Sequence, residues 1–272
     1  MKFTKMQGCG NDFIMIDDIN EKLNNINEIV PKLCDRHFSI GADGVILVRK
    51  STVGDIKMVI INSDGSLAGM CGNGIRCFSK YIWEKDIVKK EEISVETGDG
   101  IKIAKLVSHE DKVISVSINM GYPKFEPKLI PANCDESIIN KNVCVEGKKY
   151  SITSLLMGVP HTVLFGKLCE FDVNEGKYIE KNELFPQGTN VDFAEIVNRN
   201  EVNVVTWERG AGATLACGTG CTATVAAGNK LNLLDNIVKV NVPGGELLVE
   251  IKDGLAFMTG SAEISFEGVC EV

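Results

Sequence analysis

The sequence predicts an α+β fold of two pseudo-symmetric domains, each a mostly antiparallel β-sheet or barrel wrapped around one central helix, with a site in the cleft between them. Three observations predict it. The chain echoes itself at an offset of 146 residues; both halves are rich in short Val- and Ile-bearing runs bounded by Gly, Asn and Asp; and each half holds one helical segment behind a Cys-Gly-x-Gly.

The repeat is the firmest of the three. Cys71-Gly72-Asn73-Gly74 falls on Cys217-Gly218-Thr219-Gly220, since 217 − 71 = 146, and at the same offset Asn62-Ser63 falls on Glu208-Arg209 and Gly98 on Gly244. Gly10-Asn11-Asp12-Phe13 matches Gly158-Val159-Pro160-His161 at a neighbouring offset, 158 − 10 = 148. A period this long exceeds a solenoid unit and points to two similar domains.

Strands are expected at FIMID, GVILV, IKMVII, VISVSI, TVLF, NVVTW, VKVNV and ELLVEI. The central helices are expected to begin at the two Cys-Gly-x-Gly motifs and to run through IRCFSKYIWEK and CTATVAAGNK. The irregular, proline-bearing GYPKFEPKLIP, near 119 to 131, reads as a linker. The domains expected are 1–118 with a C-terminal strand at about 261–272, carrying Cys71, and 119–260, carrying Cys217.

Composition narrows the function. A net charge of −8 without a basic cluster argues against nucleic acid and anionic membranes, leaving a small molecule as the expected partner. No run approaches the ~18 apolar residues of a membrane helix, and the start MKFTKMQGCGNDF lacks a signal peptide's apolar stretch, so a cytoplasmic protein is expected. Ten cysteines in that setting imply reduced thiols. Their spacings lack a Cys-x-x-Cys, and His37, His109 and His161 are scattered, so no metal is expected.

A helix N-terminus carries unpaired N–H groups and about half a positive charge. A cysteine there is expected to be acidified below the ~8.5 of a free thiol, and the flanking glycines leave amides free to bind an anion such as an α-carboxylate. Two such termini facing one α-carbon could remove a proton from one face and return it on the other. Taken singly, each motif also reads as a Gly-rich turn around a small buried Cys. The pairing at a fixed offset favours the chemistry. Two other readings stay open: a thiol redox protein cycling a Cys71–Cys217 disulfide, and a non-catalytic amino-acid-binding domain.

At KMQGCGNDF, IGADG, INSDGS with MCGNGIRC, MGVPH, GTNVDF, ERGAGATLACGTG and VPGGEL the sequence resembles the diaminopimelate epimerase family and its racemase relatives, nearly end to end. The resemblance implies interconversion of LL- and meso-diaminopimelate without pyridoxal phosphate or other cofactor, in making lysine and peptidoglycan precursors. It implies that Cys71 and Cys217 are the acid/base pair, that Gly72, Asn73, Gly218 and Thr219 hold the reacting carboxylate, and that Asn11, Asn62 and Asn190 bind substrate. Arg209 would grip the distal carboxylate, and His161 and Glu208, the latter also touching substrate, would tune the cysteines. It implies a homodimer too, with Phe266 at a position where a contact Tyr is common. Each residue has a plainer alternative: the asparagines as turn formers, His161 as a satisfied core histidine, Glu208 and Arg209 as a solvated pair. The other eight cysteines are expected to be buried packing residues.

Three positions depart from the family's pattern. Val159 stands where many members have Asn, Gly44 where some have Gln, and Ala213 where Glu is usual. They bear on the substrate rather than the proton transfer, and leave a racemase of another amino acid as the alternative.

Overall fold

The computed structural model describes residues 1–271. The chain forms two compact units, Met1–Ile118 with the stretch from Thr259 onward, and Asn119–Met258.

The first unit opens with the hairpin β1 (Lys2–Gly8) and β2 (Asn11–Asp17), followed by α1 (Ile26–Leu33). Strand β3 (Gly44–Arg49) lies parallel to β2, β4 (Ile56–Asn62) is antiparallel to β3, and the short β5 (Leu67–Ala68) folds back on β4. After α2 (Gly72–Glu84) come β6 (Glu92–Thr97), parallel to β4, then the antiparallel β7 (Gly100–His109) and β8 (Lys112–Gly121).

The second unit repeats this order. Strand β9 (Lys141–Val145) pairs with β10 (Lys148–Met157), which forms a hairpin with β11 (Val159–Phe165); α3 (Gly176–Glu180) follows. Strand β12 (Asn190–Asn198) is parallel to β11, and β13 (Glu201–Glu208) is antiparallel to β12 and to β14 (Gly212–Thr214). After α4 (Gly218–Lys230) come β15 (Ile237–Val242), parallel to β13, then β16 (Gly245–Lys252) and β17 (Leu255–Gly260). The last strand, β18 (Glu263–Val269), returns to the first unit and pairs with β1, as β9 pairs with β10.

The repeat is therefore one of topology as well as sequence. Strands β4 and β13 end 146 residues apart, at Asn62 and Glu208, and α2 and α4 begin 146 apart and are the same length. The hairpins after the helices slip by one residue: β6 ends at Thr97 and β15 at Val242.

The two long helices, α2 and α4, are buried almost all round. In α2 only Lys80 and Glu84 escape burial; Ile75, Phe78 and Ile82 are fully buried, and the helix lies against β1 and β2. Burial of each such side chain contributes roughly 1.5–3 kcal/mol. Helix α4 lies against β10, β11 and β12 and is built instead from Ala223, Val225, Ala226 and Ala227. Small residues let neighbours close in: a Cβ on Gly228 would stand 2.5 Å from Leu234 Cδ1. The expected linker is partly wrong, since 119–121 continue β8 and only the following segment is irregular; the alternation of VISVSINM carries the strand onward.

Candidate active site

In the first unit, Cys71 is the N-cap of α2, with extended backbone (φ −140°, ψ 122°), and its Sγ accepts from Gly74 N–H at 3.4 Å. The tight β4–β5 turn delivers it, and that turn is held by Asn62, whose N–H donates to Ser66 O at 2.8 Å and whose Nδ2 donates to Ser66 Oγ at 3.0 Å. Gly72 and Asn73 are buried in the first turn. Asn11 begins β2, and its Oδ1 is buried without a hydrogen-bond partner among the described residues, which suits an acceptor awaiting a ligand. Asn11 is carried by Asp12, whose carboxylate pairs with Lys5 Nζ at 2.8 Å and Arg36 Nη2 at 2.7 Å. Gly44 opens β3 opposite Asn62, and a Cβ there would stand 2.7 Å from Ile61 O, so a side chain at this position requires the backbone to shift.

In the second unit, Cys217 is the N-cap of α4 (φ −115°, ψ 107°), with its Sγ 3.3 Å from Thr219 Oγ1. Cys217 is only 5% exposed. Glu208, at the end of β13, faces the thiol and accepts from Thr214 Oγ1 at 2.7 Å. Burial pushes the Cys217 thiol well above its ordinary value, and Glu208 and Asp192 push the same way, outweighing the Thr219 hydroxyl and the Gly220 N–H. This corrects the expected acidification: half a helix-dipole charge loses to desolvation plus two facing carboxylates. Burial likewise raises Glu208.

The second unit also carries the other polar residues expected from the sequence. His161, in β11, is fully buried, with Nδ1 2.8 Å from Asp192 Oδ2. Asn190 opens β12 beside His161, donates from Nδ2 to Pro160 O at 3.2 Å, and accepts the Arg209 N–H at 2.8 Å. Arg209 is exposed; its stem crosses Gly188 (φ +73°) and Nη1 donates to Gln187 O at 2.7 Å. Glu208 and Arg209 are thus not a solvated pair, since one turns inward and the other outward. Val159 is 37% exposed at the start of β11.

Asp192 was not singled out from the sequence. Nothing within GTNVDF marks its acid as buried, yet Val191, Asp192 and Phe193 are all fully buried because this strand is covered on both faces. The eight remaining cysteines divide: Cys9, Cys34, Cys77 and Cys221 are buried, Cys134 and Cys270 half-buried, but Cys144 and Cys169 exposed, on an outward position of β9 and in a short 3₁₀ turn. Among the described residues, no group of three or more His, Cys, Asp or Glu is arranged to hold a metal ion, and no helix is long and apolar enough to cross a membrane.

The family model described as "Diaminopimelate epimerase" matches residues 3–126 and 153–265, a span that includes both N-cap cysteines and every polar residue above. The chain belongs to the diaminopimelate epimerase family. It is 57% identical over 269 residues to the diaminopimelate epimerase of Clostridium perfringens, covering 98% of each chain, and 46% identical over 275 residues to that of Alkaliphilus metalliredigens, covering 99% of this chain and 97% of the other. The fold extends further than the family. A probable proline racemase from Agrobacterium radiobacter superposes with a TM-score of 0.74 at 14% identity, covering 100% of this chain and 93% of the other. A hydroxyproline epimerase from Agrobacterium vitis gives 0.70 at 14%, covering 98% and 91%.

Proposed function

We propose that this member of the family interconverts LL- and meso-2,6-diaminopimelate by two-base proton transfer between Cys71 and Cys217, without a cofactor, in the supply of lysine and peptidoglycan precursors. The observation that carries the reading is the twofold placement of a cysteine at the N-cap of a buried helix, at equivalent points of a duplicated unit, in a chain 57% identical to an enzyme of that name.

The reading requires one sulfur on each face of the substrate's α-carbon. One takes the α-proton as a thiolate, the other delivers a proton as a thiol, and the roles exchange in reverse. The first-turn amides at Gly72, Asn73, Gly218 and Thr219 are suited to hold the reacting carboxylate, and donors held in advance also stabilise charge that develops on it as the α-carbon is deprotonated. Asn11, with its unpaired Oδ1, Asn62 and Asn190 are assigned to substrate polar groups, and Arg209 to the distal carboxylate, which a planar guanidinium pairs bidentately. His161 and Glu208 are assigned to tuning the cysteines. A cytoplasmic homodimer completes the reading, with Phe266, half exposed and edge-on to Phe3, as a contact residue.

Purified protein given LL-diaminopimelate beside a panel of single amino acids is expected to turn over the former; turnover of another amino acid alone would transfer the reading to a racemase. Val159 is the observation favouring that second reading. Under the first, Val159→Asn should improve KM for diaminopimelate about fivefold, the equivalent of a hydrogen bond of ~1 kcal/mol.

A further inference from the structure

The duplicated units are unequal beneath their cysteines. In the first unit the floor under α2 is apolar: Gly74 rests against Ile46 and Phe13, a Cβ there standing 3.0 Å from Ile46 Cδ1 and 3.4 Å from Phe13 Cζ, and Ile46 pairs with Ile60 across β3 and β4. At the equivalent places the second unit has Asp192, His161 and Thr206. Asp192 pairs with Thr206 across β12 and β13, and a Cβ on Gly220 would collide with Asp192 Oδ1. All three polar side chains are buried, His161 and Asp192 fully.

A buried carboxylate is stable only when its lone pairs are taken. Asp192 Oδ1 accepts from Thr206 Oγ1 at 2.8 Å, and Oδ2 stands 2.8 Å from His161 Nδ1. A carboxylate cannot donate, so the ring proton belongs on Nδ1. The other nitrogen, Nε2, then carries a lone pair, and it lies 3.4 Å from Asn190 Nδ2. The Asn190 amide is oriented independently, because its Oδ1 accepts the Arg209 N–H and its Nδ2 donates to Pro160 O. One chain of contacts therefore runs from the carboxylate under α4 to the backbone of Arg209.

Resting on the epimerase reading above, we propose that Asp192 is a positioning residue: it fixes His161 in the Nδ1–H tautomer, so that the unprotonated Nε2 accepts from Asn190 Nδ2 and the imidazole is held in one orientation. The device belongs to one half-site only, since Ile46 occupies its place in the other. Its loss leaves the substrate's carboxylate contacts in place, so it acts on turnover more than on binding.

Ring ¹⁵N shifts of histidine-labelled protein test this directly. The chain has three histidines, and His161→Gln assigns the signal. In the wild type, a protonated Nδ1 and an unprotonated Nε2 are expected; the opposite tautomer overturns the proposal without any variant, and decides it alone if Asp192→Asn does not fold. In folded Asp192→Asn, the Nε2–H tautomer should become populated and kcat should fall on the order of 10- to 100-fold with KM little changed. An unchanged ring spectrum or an unchanged kcat overturns it. Wild-type protein that turns over no diaminopimelate would instead remove the epimerase reading and leave the ring measurement intact.

Discussion

Asn190 Oδ1 accepts the backbone N–H of Arg209 at 2.8 Å, so the strand end that carries the asparagine also sets where the arginine leaves the fold. The guanidinium uses Nη1 on Gln187 O and keeps further donors for a carboxylate. Arg209→Lys, which retains the charge and loses the planar fork, should raise KM for diaminopimelate about tenfold or more with a smaller effect on kcat. Steady-state kinetics check this; an unchanged KM would remove Arg209 from the distal subsite.

Cys217 should resist alkylation at neutral pH, because burial and the facing Glu208 and Asp192 carboxylates disfavour its thiolate. As pH rises its modification should begin later than that of the exposed Cys169. Glu208→Gln removes one facing anion, so the onset should move to lower pH. Mass-spectrometric timing of iodoacetamide labelling reads both; a Glu208→Gln onset unchanged or moved upward contradicts the assignment.

The starts of α2 and α4 were legible because Cys-Gly-x-Gly sits at a strand-to-helix junction twice, and the offset of 146 also aligned Asn62 with Glu208, which end equivalent strands. Burial was not legible. GTNVDF gives no sign that Asp192 lies on a strand covered on both faces, and the residues around Cys144 give none that this thiol points to solvent. The protonation preference of Cys217 was hidden for a related reason: it depends on carboxylates from β12 and β13 that only the tertiary fold brings to the helix end.

The cluster beneath Asn11 should make stability depend on acid. Partial burial pushes Asp12 upward, but hydrogen bonds from Arg36 and Lys5 prevail and hold it well below the usual carboxylate range. A depressed carboxylate contributes stability above its unfolded value, ~3.9, and loses it as pH falls toward the folded one. Asp12→Asn, which leaves buried Lys5 with the Gly41 carbonyl but without its counter-charge, should cost about 3 kcal/mol at pH 7. Urea unfolding should show the gap between wild type and variant shrinking from pH 5 to pH 3; a gap that is constant or widens contradicts the pairing.

The most direct test is solvent exchange at the α-carbon. With LL-diaminopimelate in deuterium oxide, wild-type protein should place deuterium at that carbon, and Cys71→Ala and Cys217→Ala should each slow incorporation on the order of 10²-fold or more. Incorporation at the wild-type rate in either variant would contradict proton transfer by the paired cysteines.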